Sequence, residues 1–466
     1  MKNAINIGVK LENISGHITK IYRVRFIKYI GILYKEAERD LNGKARLYAR
    51  IIDKKIEYHL KAFGAVCIEG PKRCGKTWTS SFHCRSAVYI GDPSGNFHNR
   101  KLAEMVPSLV LEGENPRLID EWQEVPQLWD AVRYEVDRTT GKGQYILTGS
   151  ATPDHKGILH SGAGRISKIH MRPMSLFESG DSSGDVSLEK LCRNEFSPVF
   201  TGDVDLMKLI RLIIRGGWPA SISVPDEMVA LLPEEYLKAV VDDDVHRIDG
   251  RQRNRGKMWL LLQSLARNES TVVSNRTLRK DIKEVDDEDI DVETVKEYLD
   301  IFARLFITDD QPPFDVNARS SVRVKQAVKH HFSDPSLASA LLKVTPLSLL
   351  GDLETLGNLF EALCERDLKI YAESFGGKLY HYQDYLGKEI DAVIEMPDGS
   401  WGAFEIKLGA NSIDDAADNL ISIKKAFEKD PKGRPPALLC VISGMSNAAY
   451  QRPDGVYVVP ITALKN

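Results

Sequence analysis

The residues of this chain best suited to chemistry form a glycine-rich loop that reads Gly70-Pro-Lys-Arg-Cys-Gly-Lys-Thr77. A short apolar segment precedes the loop and a helical pattern follows it, which predicts a turn from a buried strand into a helix. Backbone N–H groups of such a loop point inward and bind an anion, typically the phosphates of a nucleotide. We therefore predict a nucleotide site made by Gly70, Pro71, Lys72, Arg73, Cys74, Gly75, Lys76 and Thr77.

Two side chains of this loop have separate predicted roles. Lys76 is expected to reach the β- and γ-phosphates of ATP. The hydroxyl of Thr77 is expected to bind Mg²⁺. The alternative interpretation is a glycine-rich turn that only connects a strand to a helix.

A second pattern, Arg117-Leu-Ile-Asp-Glu-Trp122, is a short apolar segment that ends in two acids. Downstream of a phosphate-binding loop, it is typical of the strand that supplies a magnesium ligand and a catalytic base. Asp120 is predicted to bind Mg²⁺ through water, and Glu121 to orient and deprotonate the attacking water. An acidic pair can also start a helix, so this prediction depends on the loop that comes before it.

The residues after the acidic pair suggest further contacts to the γ-phosphate. Segment 143–150 has the pattern of a third strand with a polar end, where Thr148 or Ser150 is the candidate sensor of the γ-phosphate or the lytic water. A helix cap or a turn is the open alternative for these hydroxyls. Arg165 and Arg172 follow, and each could stabilise γ-phosphate charge in its own chain or across a subunit boundary of a homo-oligomer. A structural or solvated arginine is the alternative.

Three stretches of the chain resemble a family of prokaryotic AAA-type ATPases (AAA_14-like) that carry a C-terminal domain of unknown function, DUF4143. They read LIDEWQEVPQLWDAVRYEVDR (118–138), YILTGSATP (145–153) and GRISKIHMRPMSLFESGDS (164–182). The resemblance covers roughly residues 47–466. It implies ATP binding and a cytoplasmic protein, and it leaves the substrate and the pathway open.

The C-terminal region carries a second set of candidate residues. Segments 387–394 and 401–407 have strand patterns and are joined by a turn, which predicts a hairpin. Asp391, Glu405 and Lys407 are expected to lie on one face of this hairpin, because alternate residues of a strand share a face.

This Asp…Glu-x-Lys arrangement resembles the PD-(D/E)xK nuclease-like fold. The resemblance implies that Asp391 and Glu405 bind Mg²⁺ and that Lys407 aligns or deprotonates a water for attack on phosphorus. Glu361, in a predicted helix over 357–371, fits the additional upstream acid of such sites. Two alternatives stay open: an exposed charged hairpin, and a site that keeps the fold and binds DNA without cleaving it.

Composition limits the classes of protein that the chain can belong to. Its net charge is -3, with 42% hydrophobic and 28% charged residues, which is ordinary for a globular protein. Any contact with DNA or RNA must therefore come from local basic surface. The six cysteines form no C-x-x-C pair, which predicts reduced thiols of a cytoplasmic protein. The sequence contains no apolar run of transmembrane length.

The predicted fold class is α/β, with three domains after a basic N-terminal extension at residues 1–46. Residues 47–180 are predicted to form a P-loop NTPase domain with a parallel sheet, using strands at 64–69, 117–120 and 144–148. Residues 200–345 are predicted to form a helical, winged-helix-like domain, and residues 346–466 an α/β domain like restriction endonucleases. The extension is interpreted as an upstream translational addition, or as a basic amphipathic helix that docks on the domain or on an acidic partner.

The winged-helix prediction is based on a run of helices followed by two short strand patterns. Helices are expected at 206–214, 257–266, 275–282 and 292–304, and wing strands at 305–308 and 322–325. The last of these helices presents Glu293, Glu297 and Asp300, which phosphates would repel. A structural or protein-contact role is therefore favoured over DNA binding.

Two classes of function follow from these motifs. The first is an ATP-driven enzyme that binds or cleaves nucleic acid through its C-terminal domain. The second is a nucleotide-dependent regulatory or interaction protein whose nuclease-like domain is inactive. Both share Mg²⁺-dependent ATP hydrolysis through Lys76, Asp120 and Glu121, and they differ in the chemistry of the C-terminal residues.

Overall fold

The structure is a computed structural model that describes residues 48–152, 158–245, 250–251, 253–285, 290–317, 319–384, 387–431 and 433–466. The predicted basic extension, residues 1–46, lies outside the described residues. In the part of the chain that is described, no helix is both long and apolar enough to cross a lipid bilayer.

The N-terminal part of the described chain contains a five-stranded parallel sheet. Its strands are β1 (Ala65–Glu69), β2 (Ser86–Tyr89), β3 (Arg117–Asp120), β4 (Tyr145–Gly149) and β5 (Ile166–His170). They lie in the order β2-β3-β4-β1-β5. β1 and β4 are buried along their whole length, as expected for inner strands of a parallel sheet. The predicted α/β fold with a parallel sheet is confirmed, and β2 and β5 are additional to the three predicted strands.

Helices alternate with these strands and bring the predicted residues to one edge of the sheet. They are α1 (Asp53–Ala62), α2 (Lys76–Ser81), α3 (Ser94–Met105), α4 (Pro107–Val110) and α5 (Gln127–Thr139). The amphipathic helix α5 buries Trp129 and Val132 in a cluster that includes Leu147 of β4. Because β1, β3 and β4 are parallel, their C-terminal ends lie at the same edge, where the loop, the acidic pair and Ser150 follow.

The middle region is helical, as predicted. Its helices are α6 (Leu188–Cys192), α7 (Leu206–Arg215), α8 (Leu231–Ala239), α9 (Arg255–Arg267), α10 (Asn275–Val285) and α11 (Val292–Arg304). A π-helical turn, Val240–Asp244, continues α8. The bounds of α7, α9, α10 and α11 include the four predicted helices.

The predicted wing strands are wrong. Val322–Lys325 forms a short helix, α12, and Thr308 pairs with Phe332 through a single backbone bridge. Within this helix, the guanidinium of Arg323 binds the carboxylate of Glu395 at 2.9 Å. This contact ties the 322–325 segment to the C-terminal sheet instead of to a wing partner.

Two other single bridges follow the helices of the middle region. Gln311 pairs with Lys329, and Thr271 pairs with His330. The residues around 329–332 therefore take the place that the sequence predicted for 322–325. The helices of the winged-helix-like prediction are present. In place of the predicted wing strands, the structure has isolated backbone bridges.

The C-terminal region contains a mixed seven-stranded sheet in the order β7-β12-β13-β11-β10-β9-β8. Its strands are β7 (Val199–Phe200), β8 (Lys378–Gln383), β9 (Glu389–Glu395), β10 (Trp401–Lys407), β11 (Leu438–Ser443), β12 (Ala448–Gln451) and β13 (Tyr457–Pro460). β14 (Leu464–Lys465) pairs in parallel with β6 (Val186–Ser187). β6 and β7 come from residues 186–200, so the sheets of this region include residues from before position 346.

Four further helices belong to the second half of the chain. They are α13 (Pro335–Leu341), α14 (Pro346–Leu350), α15 (Leu353–Ser374) and α16 (Ile413–Lys429). One apolar core cluster runs from Ile68 of β1 through Ile213 of α7 and Leu363 of α15 to Phe404 of β10. The three regions are therefore packed on a continuous core.

Candidate functional site

The predicted phosphate-binding loop connects β1 to α2 at the C-terminal edge of the parallel sheet. Two of its glycines are required by geometry. A Cβ atom on Gly70 would lie 2.1 Å from the carbonyl oxygen of Met171, and Gly75 has a φ of +103°. Side chains at these positions would collide or be strained, so the glycines allow the tight course of the loop.

Lys76 is buried, and its ammonium group is held by the loop backbone. Its Nζ donates hydrogen bonds to the carbonyl oxygens of Gly70 at 2.9 Å and Pro71 at 2.8 Å. The thiol of Cys74 is also buried and donates to the carbonyl of Met171 at 3.5 Å. The loop thus encloses the ammonium group of Lys76, while the thiol of Cys74 contacts the backbone of Met171.

Asp120, the last residue of β3, is bonded to hydroxyls of α2 and of β4. Its Oδ1 accepts hydrogen bonds from Thr77 Oγ1 at 2.7 Å and from Thr148 Oγ1 at 2.6 Å. Burial raises the pKa of the Asp120 carboxyl, although the two hydroxyl donors oppose that rise. One carboxylate oxygen of Asp120 therefore accepts hydrogen bonds from a hydroxyl of α2 and a hydroxyl of β4.

Glu121 has a strained backbone, with φ +57° and ψ +47°. A non-glycine residue in this left-handed region costs about 1–3 kcal/mol, so the surrounding contacts must hold it there. Its backbone N–H donates to Thr148 Oγ1 at 3.1 Å. Its carboxylate accepts from Ser150 Oγ at 2.9 Å and from the amide of Gln123. The two candidate sensors thus hold different acids, Thr148 binding Asp120 and Ser150 binding Glu121.

A cavity of about 1120 Å³ opens beside these groups. Its lining includes Lys72, Arg73, Gly75, Lys76 and Thr77 of the loop, together with Glu121, Gln123 and Ser150. Gly70, Pro71, Cys74 and Asp120 do not line it. The volume is sufficient for a nucleotide, since small-molecule sites are commonly about 300–1,000 Å³.

Two residues that no sequence motif indicates bind the loop directly, although they are far from it in the sequence. Arg50 is buried and donates from Nη1 to the carbonyl of Cys74 at 2.7 Å, and its Nε binds Glu178 at 3.0 Å. Asp244, in the π-helical turn of the middle region, binds the ammonium of Lys72 at 2.6 Å. Neither residue belongs to a recognisable motif, and only the tertiary fold brings them to the loop.

The two candidate trigger arginines have different environments. Arg165 is half-exposed and pairs with Asp137 at 2.7 Å. Arg172 is buried, where its guanidinium binds Asp309 and lies 2.8 Å from Glu373. Arg172 therefore belongs to a buried ion-pair network within the chain and does not line the cavity beside the loop.

In the C-terminal region, Asp391 of β9 lies beside Glu405 and Lys407 of β10. The antiparallel register pairs Ala392 with Phe404, which places Asp391 next to the Glu405–Lys407 segment. Lys407 Nζ lies 3.1 Å from Asp391 Oδ2 and 2.7 Å from Glu405 Oε2. The structure thus brings the three predicted side chains together.

One backbone N–H and one side-chain amide donate hydrogen bonds to the carboxylates of Asp391 and Glu405. The N–H of Ile406 donates to Asp391 Oδ2 at 2.8 Å, and Asn419 of α16 donates to Glu405 Oε1 at 2.9 Å. Burial and the neighbouring Asp391 raise the pKa of Glu405 to about 7. Burial also acts to raise the pKa of Asp391, but Lys407 and Lys329 lower it overall. Asn419 is a further residue that no sequence motif indicates.

A bound Mg²⁺ does not fit this arrangement as it stands. The Lys407 ammonium lies between Asp391 and Glu405, and Lys329 binds the predicted upstream acid Glu361. Among the described residues, no group of three or more His, Cys, Asp or Glu is placed to hold a metal ion. Ammonium groups thus occupy the positions where the sequence predicts a divalent cation.

Three separate stretches of the chain match known domain families. Residues 62–179 match an AAA domain, residues 206–348 match a domain of unknown function (DUF8612), and residues 356–464 match another (DUF4143). The described phosphate-binding loop and acidic pair lie inside the first match.

Relatives of similar length occur in mycobacteria. The chain is 24% identical over 374 residues to uncharacterized proteins of Mycobacterium bovis and Mycobacterium tuberculosis, across 78% of this chain and 76% of each relative. A Walker-type ATPase of Pyrococcus abyssi is similar in structure, with a TM-score of 0.39 and 14% identity over 62% of this chain and 94% of that one. The family matches confirm the resemblance stated above: the chain carries an AAA domain and a C-terminal DUF4143 domain.

Proposed function

We propose that this protein binds ATP with Mg²⁺ and hydrolyses it at the edge of its parallel sheet. The observation that carries the proposal is the hydrogen-bonded set of Thr77, Asp120 and Thr148 between the loop and Glu121. Hydroxyl and carboxylate oxygens are the ligands that Mg²⁺ prefers, and this ion commonly uses few protein ligands alongside substrate phosphates. Thr77 and Asp120 are therefore suited to hold it.

The remaining residues of the site have separate roles in binding and hydrolysing ATP. The backbone of loop 70–77 cradles the phosphates, and Lys76 moves its ammonium from the loop carbonyls to the β- and γ-phosphate oxygens. Glu121 orients a water for attack and accepts its proton, while Ser150 and Gln123 fix the carboxylate. Bound Mg²⁺ supplies charge neutralisation to the phosphates.

The direct test is nucleotide binding by isothermal titration calorimetry with Mg-ATP. Lys76→Ala removes the phosphate clamp and is expected to abolish tight binding. Lys168→Ala is the matched control, because Lys168 lies on β5 and pairs with Glu69 at 2.8 Å outside the cavity. Equal ATP affinity of Lys76→Ala and the unmodified protein would exclude the proposed site.

A second candidate function is binding or cleavage of nucleic acid by the C-terminal domain. The convergence of Asp391, Glu405 and Lys407 on β9 and β10 favours it. The ion pairs that occupy this group favour the other candidate, a nucleotide-dependent regulatory protein with an inactive nuclease-like domain. Labelled DNA and RNA, incubated with Mg²⁺ or Mn²⁺ and with or without ATP, separate the two candidates. Cleavage that Lys407→Ala abolishes would support the first, and its absence under all conditions the second.

A further inference from the structure

The middle region contacts the edge of the proposed ATP site at two places. At the first, the end of α11 is bonded to the segment that follows β4. The backbone N–H of Thr152 donates to the carbonyl of Arg304 at 3.0 Å, and Arg304 Nε donates to the carbonyl of Thr152 at 3.1 Å. The next residue, Leu305, lines the cavity beside the phosphate-binding loop. Neither of these two hydrogen bonds involves a cation of the loop.

At the second place, Asp244 binds a cation of the loop itself. Its carboxylate accepts a hydrogen bond from Lys72 Nζ at 2.6 Å, and both side chains line the cavity. The Asp244 side chain is 8% exposed and that of Lys72 is 41% exposed. Asp244 is the buried member of the acidic run 242–244, and it ends the π-helical turn, a rare conformation that is often found at functional sites. The fold therefore places one acid of the middle region against the loop.

The Asp244 carboxylate opposes nucleotide binding in two ways. Its negative charge lies in the wall of a cavity that is proposed to take three phosphates, and like charges at short range repel. It also holds the ammonium of Lys72, a group that binds phosphate well. Because Lys72 is partly open to solvent, the ion pair is weak enough for a phosphate to displace. By contrast, the ammonium of Lys76 is held by the neutral carbonyls of Gly70 and Pro71.

We propose that Asp244 is a positioning residue that couples the nucleotide to the middle region. A phosphate binds the Lys72 ammonium in place of Asp244, which breaks the charge contact between the π-helical turn and the loop. The contact of Arg304 with Thr152 stays in place. ATP affinity is then lower than the loop alone would give, because binding must first break the Lys72–Asp244 pair. This inference rests on the proposed function and adds the residue through which the middle region responds to ATP.

The coupling has a consequence in the opposite direction. Linkage between two binding events is reciprocal, so a partner that moves the π-helical turn away from the loop raises the affinity of the site for ATP. A substitution that breaks the Lys72–Asp244 pair has the same effect as such a partner. The affinity of suitable variants for ATP therefore measures the coupling.

The test is the affinity of the full chain for Mg-ATP, measured by isothermal titration calorimetry. Asp244→Asn keeps the shape of the side chain and removes its charge. We expect it to bind Mg-ATP at least about fivefold more tightly than the unmodified protein, the lower end of usual couplings between sites. A merely structural role predicts the opposite sign, since loss of the pair would disturb the loop and weaken binding. Unchanged or weaker binding by Asp244→Asn would overturn the inference.

Two further variants separate charge from size and identify the route of the effect. Asp244→Glu keeps the charge and should bind Mg-ATP like the unmodified protein, whereas a gain equal to that of Asp244→Asn would contradict the charge-based role. Lys72→Met removes the ammonium that Asp244 holds. Adding Asp244→Asn to Lys72→Met should therefore give much less gain than Asp244→Asn alone. Equal gains in the two backgrounds would show that Asp244 acts without Lys72, which is incompatible with the proposal.

Asp242→Asn is the matched control. Asp242 belongs to the same π-helical turn, but it lies 3.9 Å from Arg255 and does not line the cavity. The substitution removes the same charge, so it should change ATP affinity little if the contact with Lys72 is what matters. A gain equal to that of Asp244→Asn would assign the effect to net charge and would refute the inference.

Hydrogen exchange of the unmodified protein, followed by mass spectrometry, tests the coupling without any substitution. Saturating Mg-ATP should raise the exchange of amides 240–245, because these residues lose their charge contact with the loop. Exchange that stays constant or falls while ATP is bound would overturn the inference, even if Asp244→Asn does not fold. Failure of every one of these proteins to bind Mg-ATP would remove the proposed function and the inference together. Binding that depends on Lys76 but does not respond to Asp244→Asn would remove the inference alone.

Discussion

Thr77 donates a hydrogen bond of 2.7 Å to Asp120 and so joins the first turn of α2 to the end of β3. The two residues proposed to hold Mg²⁺ are therefore already in contact, and little rearrangement is needed to share an ion. Thr148 binds the same carboxylate oxygen from the other side at 2.6 Å. This relationship leads to a first prediction about the ion.

Asp120→Asn should raise the Mg²⁺ concentration that ATP binding requires. The amide keeps the size of the side chain but removes the negative charge that attracts the ion. We expect the Mg²⁺ concentration for half-maximal ATP binding to rise by tenfold or more, about 1.4 kcal/mol. Titration of Mg²⁺ at fixed ATP measures the change. An unaltered Mg²⁺ requirement would rule out Asp120 as part of the ion site.

Glu121→Gln should bind Mg-ATP and fail to hydrolyse it. The loss of a general base typically reduces turnover by about 10²–10⁴-fold. Phosphate release and ATP affinity, measured on the same preparation, separate catalysis from binding. Glu124→Gln is the control, because Glu124 lines the same cavity but pairs with Arg100 at 3.0 Å. Normal turnover in Glu121→Gln would contradict the assigned role.

The sequence predicts these residues because their signals are local. Lys76 and Thr77 lie within one short loop, and Asp120 and Glu121 end one apolar strand, so spacing alone identifies them. The hairpin residues Asp391, Glu405 and Lys407 are also predictable, since strand alternation puts them on one face.

The residues that the sequence does not predict come from distant parts of the chain. Asp244 reaches Lys72 across 172 positions, and Arg50 reaches Glu178 across 128. Lys329, whose backbone pairs with Gln311, contacts Glu361 across 32 positions. Val322–Lys325 has a strand-like alternation, yet a single ion pair of Arg323 with Glu395 is consistent with its helical turn. Local patterns cannot show which distant charge will select a conformation.

Arg172→Met should destabilise the protein through the loss of a buried ion pair, whether or not nucleotide is bound. Removing one partner from a buried ion pair leaves Asp309 and Glu373 without it, which typically costs about 3–5 kcal/mol. Denaturant unfolding measures the loss. Arg165→Met should change stability little, because its pair with Asp137 is exposed to solvent. Equal effects of the two variants would contradict the buried role of Arg172.

If Arg165 completes the ATP site of a neighbouring copy, specific ATPase activity should rise with protein concentration. Mixing Arg165→Ala with Lys76→Ala should then restore turnover that neither variant shows alone, because each supplies the part that the other lacks. Turnover measured across a range of concentrations and mixing ratios tests this. A monomer with constant specific activity would contradict it.

The last prediction concerns pH. Burial would lower the pKa of His331, but Glu365 and Glu269 raise it to about 9, above the value near 6.5 of an unfolded chain. A raised folded-state pKa means that the stabilising contribution is complete below about pH 6.5 and is lost as pH rises through 9. The free energy of unfolding should therefore fall between pH 7 and 9, by up to about 1.4 kcal/mol per pH unit from this group. His331→Gln should flatten that slope.

His381→Gln is the control, because burial lowers the pKa of His381 to about 4, outside this window. Denaturant unfolding across the range measures the slopes. An identical slope in the unmodified protein and His331→Gln would show that His331 does not carry the charge that pairs with Glu269 and Glu365.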